Sequence, residues 1–147
     1  MGYYKHILLA ADFTEQGAGV ATKAKALAEV NQAQLSIVHV VDSVPITEAT
    51  YGPIIPFDGD LMEQIIVAAK KRLATLAKSM DITENKQWVE VGSPKLEIDR
   101  IAEENNVDLI VVGSHGRHGL ALLLGSTANG VLHHAECDVL AVRLKND

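Results

Sequence analysis

Glycines and small polar residues cluster in one part of the chain in a pattern suited to holding an anion. Gly113 and Gly116 follow a hydrophobic stretch at residues 107–112. Farther along, Gly125 and Ser126 open what the sequence predicts to be a helix. Glycines let the backbone approach a ligand closely, and a helix N-terminus supplies unpaired N–H groups that suit a phosphate. The segment therefore predicts a phosphate-binding loop.

Spacing alone leaves a simpler interpretation open. The sequence has neither the phosphate-loop motif G-x-x-x-x-G-K-[ST] nor a G-x-G-x-x-G turn after its first hydrophobic segment. A few glycines before a helix are often only a turn and a helix entry. Asp12, at the end of the first hydrophobic segment, has a similarly plain alternative, because an aspartate there can simply cap the next helix.

The sequence supports zinc binding and nucleophilic catalysis less well than it supports phosphate binding. The side chains that could bind zinc are His115, His118, His133, His134 and Cys137. No CxxC or HExxH pattern accompanies them, so no metal site is predicted. No nucleophile elbow of the form G-x-S-x-G occurs, and we predict no catalytic residue. Cys137 precedes a hydrophobic strand and is expected to be a small apolar residue of the core.

Composition limits the class of protein. The chain has 147 residues, enough for a single domain over residues 1–147, and 48% of them are hydrophobic. A formal net charge of −6 without a basic cluster argues against nucleic acid as a partner. No hydrophobic run approaches the roughly 18 residues of a membrane span, and no signal peptide is recognisable. With a single cysteine, a cytoplasmic location is expected.

Hydrophobic segments alternate with helical patterns along the chain. Strands are predicted at residues 5–11, 34–41, 87–91, 107–112 and 138–143, and helices at about 15–30, 60–79, 94–105 and 126–134. Ser93 and Pro94 are suited to cap and open the third helix. Residues 42–60 hold three of the four prolines and predict a long irregular loop.

Strands that alternate with helices of this length indicate βαβ units and a parallel sheet. In such sheets, ligands bind beyond the carboxyl ends of the strands, where the strand order reverses. Asp12 and Gly113 each follow a strand at that edge. If the first and fourth strands are neighbours, these two residues share one crevice.

Five segments, in their order and spacing, resemble the universal stress protein family, the small α/β proteins typified by universal stress protein A. They are an opening strand with its terminal aspartate (5–12), a second strand (35–40), the turn before the third helix (91–94), the glycine segment (107–117) and a closing strand (137–142). The resemblance covers nearly the whole chain. It implies a five-stranded parallel open α/β sheet in the order 3-2-1-4-5, with about four helices on its two faces. It also implies a homodimer paired through the last strand.

The family has two branches, one of which binds ATP through a G-x2-G-x9-G-[ST] motif. Carried over to this chain, the resemblance implies that Asp12 bonds the ribose and that the backbone of Val40 meets the adenine. Gly113 and Gly116 then line the phosphate loop. The residues that offer N–H and hydroxyl groups to the β- and γ-phosphates are Gly125, Ser126 and Thr127.

Two positions depart from the ATP-binding branch. The spacer between Gly116 and Gly125 has eight residues rather than nine, and Ala10 stands where ATP binders often carry proline. The three glycines and Ser126 still favour ATP, with Mg²⁺, as the ligand. The resemblance thus implies a cytoplasmic stress-response protein that signals through nucleotide binding and is not an enzyme. A nucleotide-free dimeric interaction module, like the other branch, and a slow ATPase remain alternatives.

Overall fold

Five parallel strands form one open sheet in the structure, a computed structural model that describes residues 2–13, 17–42, 59–114 and 126–143. The strands are β1 (His6–Ala10), β2 (Gln34–Asp42), β3 (Gln87–Gly92), β4 (Leu109–Gly113) and β5 (Asp138–Val142). Their order is β3-β2-β1-β4-β5, and every neighbouring pair is parallel. The expected architecture and strand order are confirmed, and β1 and β4 are neighbours.

Four α-helices accompany the strands in the described part of the chain. They are α1 (Gly17–Asn31), α2 (Gly59–Ser79), α3 (Pro94–Glu104) and α4 (Ser126–His134), and a 3₁₀ helix (Glu84–Lys86) precedes β3. Pro94 opens α3 as expected, but the predicted side-chain cap is wrong. The Ser93 hydroxyl makes no capping hydrogen bond, and only the Ser93 carbonyl accepts from the helix, at 2.9 Å from the Glu97 amide nitrogen. Residues 43–58 of the expected loop lie outside the described residues.

Side chains along each central strand alternate between two covered faces of the sheet. Ile7 and Leu9 of β1 pack with α1 and α2, whereas Leu8 between them packs with α3 and α4. All three are at most 1% exposed. Because successive strand residues point to opposite faces, a strand covered on both sides consists almost entirely of hydrophobic residues. This explains the uninterrupted apolar run in β1.

His6 links three elements at the end of the sheet where the parallel strands begin. Its Nδ1 donates to the Asn105 carbonyl at 3.0 Å, so Nε2 is the acceptor for the Ser36 hydroxyl at 2.6 Å. Burial lowers the pKa of His6, although the Asn105 carbonyl acts in the opposite direction. A neutral imidazole therefore joins β1, β2 and the end of α3.

β4 begins two residues later than the sequence predicts. The Val107 amide bonds the Ala102 carbonyl at 2.9 Å, which continues the end of α3 rather than a strand. The Asp108 carboxylate accepts from the backbone amides of Lys5 and His6, at 2.8 and 3.0 Å. These two residues thus form the connection that aligns β4 with β1, and the strand starts at Leu109.

A cavity of about 280 Å³ lies beside α3 and the end of α4 and includes Asp99, His134 and Cys137 in its wall. Both carboxylate oxygens of Asp99 are buried, with no hydrogen-bond partner among the residues that the structure describes. Burial raises the pKa of Asp99 to about 6, partly opposed by the charge of His134. Burial likewise raises the pKa of the Cys137 thiol to about 11, which keeps it protonated and poorly nucleophilic.

Among the residues that the structure describes, no three His, Cys, Asp or Glu side chains are grouped so that they could hold a metal ion. None of the helices in these ranges combines the length and the apolar character needed to cross a membrane.

Candidate functional site

The carboxyl ends of β1 and β4 lie at the topological switch point of the sheet, where the strand order reverses. β1 has β2 on one side and β4 on the other. The helix that follows β1 covers one face of the sheet, and the helix that precedes β5 covers the opposite face. Chain connections that diverge in this way leave a crevice between the strand ends, which is where open α/β sheets bind ligands.

A cavity of about 520 Å³ lies at this edge, between the end of β1, α1 and α2. Its wall includes Ala10 at the end of β1, Asp12 two residues later, Gly113 at the end of β4, and Gly17 at the first turn of α1. The volume falls within the roughly 300–1,000 Å³ usual for small-molecule sites. The N-terminus of α1 adds backbone N–H groups and the positive end of its dipole to one wall.

Two cationic side chains, Lys71 and Arg72 of α2, also line the cavity. The chain as a whole carries a net charge of −6, so this wall differs in sign from the average surface. A local positive wall raises the concentration of anions near it. Together with the α1 N-terminus, it suits an anionic ligand better than a neutral or cationic one.

The structure brings part of the predicted site together. Ala10, Asp12 and Gly113 line the same cavity, and Asp12 itself is exposed. Val40 lies on β2, where its buried side chain packs on the face covered by α3 and α4. The predicted contact involves the Val40 backbone and stays a prediction.

The other predicted residues belong to the segment between β4 and α4. Gly116 and Gly125 lie outside the described residues. Ser126 is the first residue of α4, and Thr127, the second, is half-buried. β5 is parallel to β4, and α4 leads directly into β5. The helix α4 must therefore run antiparallel to these two strands, so its N-terminus lies at the end of the sheet where the strands finish.

Most residues of the cavity wall are absent from the set predicted from sequence, among them Phe13, Lys71 and Arg72. A cationic run at residues 70–72 was the available indication for two of them. The run lies in the middle of a helix, where consecutive charges usually form a solvated face. Only the fold shows that this part of α2 reaches the end of β1.

A doubly wound parallel sheet with a ligand-sized cavity at its switch point defines a class of α/β binding domains. The sequence model of the universal stress protein family matches residues 3–143. The chain therefore belongs to the universal stress protein family, and the predicted resemblance is confirmed.

Two relatives from Coxiella burnetii align over almost their full length. Universal stress protein A homolog 2 is 43% identical over 146 residues, which is 99% of each chain. Universal stress protein A homolog 1 is 41% identical over 145 residues, covering 97% of this chain and 99% of its own. Both alignments therefore span nearly the whole of this chain.

Solved structures share the fold. Hypothetical protein MJ0577 superposes with a TM-score of 0.81 at 29% identity, covering 98% of this chain and 99% of that chain. A universal stress protein crystallised in complex with cAMP superposes with a TM-score of 0.64 at 24% identity, covering 95% and 96%. The second likeness, at its lower identity, concerns the fold alone.

Proposed function

We propose that this protein binds ATP or a related adenine nucleotide, with Mg²⁺, in the crevice at the carboxyl ends of β1 and β4. It acts in the cytoplasm as a stress-response protein whose signalling depends on the bound nucleotide. The observation that carries the proposal is the cavity shared by Asp12, Gly113 and the cations of α2. A carboxylate for ribose hydroxyls, a glycine for close approach and positive charge for phosphates are the groups that an adenine nucleotide requires.

In the proposed complex, Asp12 accepts hydrogen bonds from the ribose, and the Val40 backbone meets the adenine. Gly113 and Gly116 line the phosphate loop. The β- and γ-phosphates are held by Gly125, Ser126 and Thr127. The N-terminus of α4 at the carboxyl edge supports this last role, because a helix start attracts phosphate.

Saturable binding of labelled ATP in the presence of Mg²⁺, measured by equilibrium dialysis, tests the proposal directly. We expect one site per chain, with unlabelled ADP, AMP and cAMP as competitors that rank the ligands. Absence of binding at millimolar nucleotide would favour the nucleotide-free interaction module instead. Phosphate release above the background rate, measured in the same samples, would support the slow ATPase.

Asp12→Asn is expected to weaken ATP binding by about 10- to 100-fold, because a charged hydrogen bond contributes roughly 1.5–3 kcal/mol. The melting temperature should change little, since Asp12 is exposed and asparagine has nearly the same size as aspartate. Asp81→Asn is the matched control: Asp81 follows α2, its side chain is 89% exposed, and Lys25 lies 3.8 Å from it. Equal affinities of the Asp12→Asn and Asp81→Asn proteins would remove Asp12 from the site.

We also propose that the chain forms a homodimer through β5, which lies at an edge of the sheet. An apolar edge strand offers unpaired backbone groups to a second copy.

Light scattering is expected to give twice the chain mass of 15.8 kDa. Ala141→Lys, which introduces a charge at an exposed β5 position, should yield monomers, whereas Val30→Lys at the 79% exposed Val30 should not. A monomeric wild-type protein at micromolar concentration would contradict the proposal.

A further inference from the structure

The turn that carries Asp12 is held on both sides by side chains from other elements. Before Asp12, the Ala11 carbonyl accepts from Nδ1 of His39 on β2 at 2.7 Å, and the Ala11 amide bonds the Val38 carbonyl at 2.8 Å. After Asp12, the Phe13 carbonyl accepts from Nη2 of Arg72 on α2 at 3.2 Å. The backbone on each side of Asp12 is thereby fixed to a different part of the fold.

Ring contacts strengthen the same arrangement. The centroids of the Phe13 and His39 rings are 4.2 Å apart, with 36° between the ring planes. The guanidinium carbon of Arg72 lies 4.8 Å from the Phe13 centroid, within the range of a cation–π contact. Phe13 therefore contacts both of the side chains that bond the turn.

The backbone of Phe13 requires such support. Its φ is 58°, in the left-handed region. A bulky residue other than glycine adopts this region at an energetic cost and keeps it only where the surroundings hold it. Phe13 is joined directly to Asp12, so the contacts that hold Phe13 also restrain where the Asp12 carboxylate lies.

We infer that Arg72 and His39 are positioning residues of the proposed nucleotide site and act through Asp12. They set the carboxylate where a ribose can meet it, before any ligand arrives. The inference rests on the proposed function for its ligand, whereas the contacts themselves belong to the free protein. Arg72 thus serves in this role through Phe13, and not through a bond to phosphate.

The first test compares two nucleotides. Arg72→Ala is expected to weaken ATP binding by about tenfold but to weaken 2′,3′-dideoxy-ATP binding no more than Lys71→Ala does, because that ligand lacks the ribose hydroxyls that Asp12 would bond. In the Asp12→Asn background, Arg72→Ala should likewise have no larger effect on ATP binding than Lys71→Ala. Lys71→Ala is the matched control, since it removes the adjacent cation of the same wall and should affect both nucleotides equally.

Equal losses for the two nucleotides in Arg72→Ala, or additive losses with Asp12→Asn, would overturn the inference in favour of a direct phosphate contact. Such results would leave nucleotide binding itself intact. The two proposals are therefore distinguishable.

A second test needs no ligand. Amide hydrogen exchange of Ala11, followed by NMR, is expected to be at least tenfold faster in Arg72→Ala and His39→Ala than in the wild type. The amides of β4 should be unchanged, which would exclude general destabilisation. If the wild type bound no nucleotide, the proposed function would fail, and this measurement would still decide whether the two side chains hold the turn. Unchanged Ala11 exchange in both variants would show that they do not.

Discussion

Ile110→Ala is expected to destabilise the protein by about 2–5 kcal/mol, the range for removing a fully buried aliphatic side chain and leaving a cavity. Ile110 is completely buried in β4, where it pairs with Leu8 of β1 and Val139 of β5. Its side chain belongs to the cluster that α3 and α4 form against the sheet. Because β1 and β5 flank this position and α3 and α4 cover it, the surroundings can collapse only partly into the space.

Urea unfolding followed by circular dichroism measures this loss as a lower midpoint with an unchanged slope. Leu132→Ala is the matched control, since Leu132 on α4 is 53% exposed and its truncation should change stability by less than about 0.5 kcal/mol. A loss below 1 kcal/mol for Ile110→Ala would show that the core at β4 is less tightly packed than the structure indicates.

Asp99→Asn is expected to stabilise the protein by about 1–2 kcal/mol at pH 7.5, after allowance for solvent screening of a partly exposed residue. Burial raises the pKa of Asp99 to about 6 in the folded protein, from 3.8 for the free side chain. Above pH 6 the carboxylate is charged in both states, and its charge is disfavoured only in the folded one. As pH falls from 6 to 4, the folded state takes up a proton first, and the advantage of asparagine disappears.

Unfolding free energies of Asp99→Asn and the wild type at pH 7.5 and pH 4.5 measure this difference. His6, whose lowered pKa makes the fold less stable on acidification, is present in both proteins and cancels from the comparison. Asp81→Asn, at an exposed aspartate, should show no comparable gain. A stabilisation of equal size at both pH values would mean that the charge of Asp99 is not its cause.

The architecture was largely predictable from sequence because its local patterns agree. Apolar runs such as residues 7–9 mark strands covered on both faces, and Pro94 marks a helix start. Strand order was not contained in these patterns, since pairing between β1 and β4 joins segments about a hundred residues apart. It followed from resemblance to a family. The start of β4 was misplaced because Val107 is as apolar as a strand residue but bonds the end of α3.

The candidate site was predictable only where its residues lie at or just beyond the end of a strand. Gly113 is the last residue of β4 and Asp12 lies two residues beyond β1, and each carries a recognisable local signal. Arg72 and His39 do not, because their bonds to the turn span 59 and 28 residues of sequence. Which cation of the run at 70–72 reaches Phe13 depends on how α2 lies across the sheet, and no periodicity within the helix specifies that.

Burial of His6 makes the end of the sheet opposite the crevice sensitive to acid. His6 joins β1, β2 and the end of α3 at the edge opposite the crevice, and it does so as a neutral imidazole. Mild acidification should therefore destabilise the protein first around His6, at the end of the sheet opposite the proposed nucleotide site. A bound nucleotide could oppose that loosening only by mass action, through its preference for the intact fold, and not by touching His6.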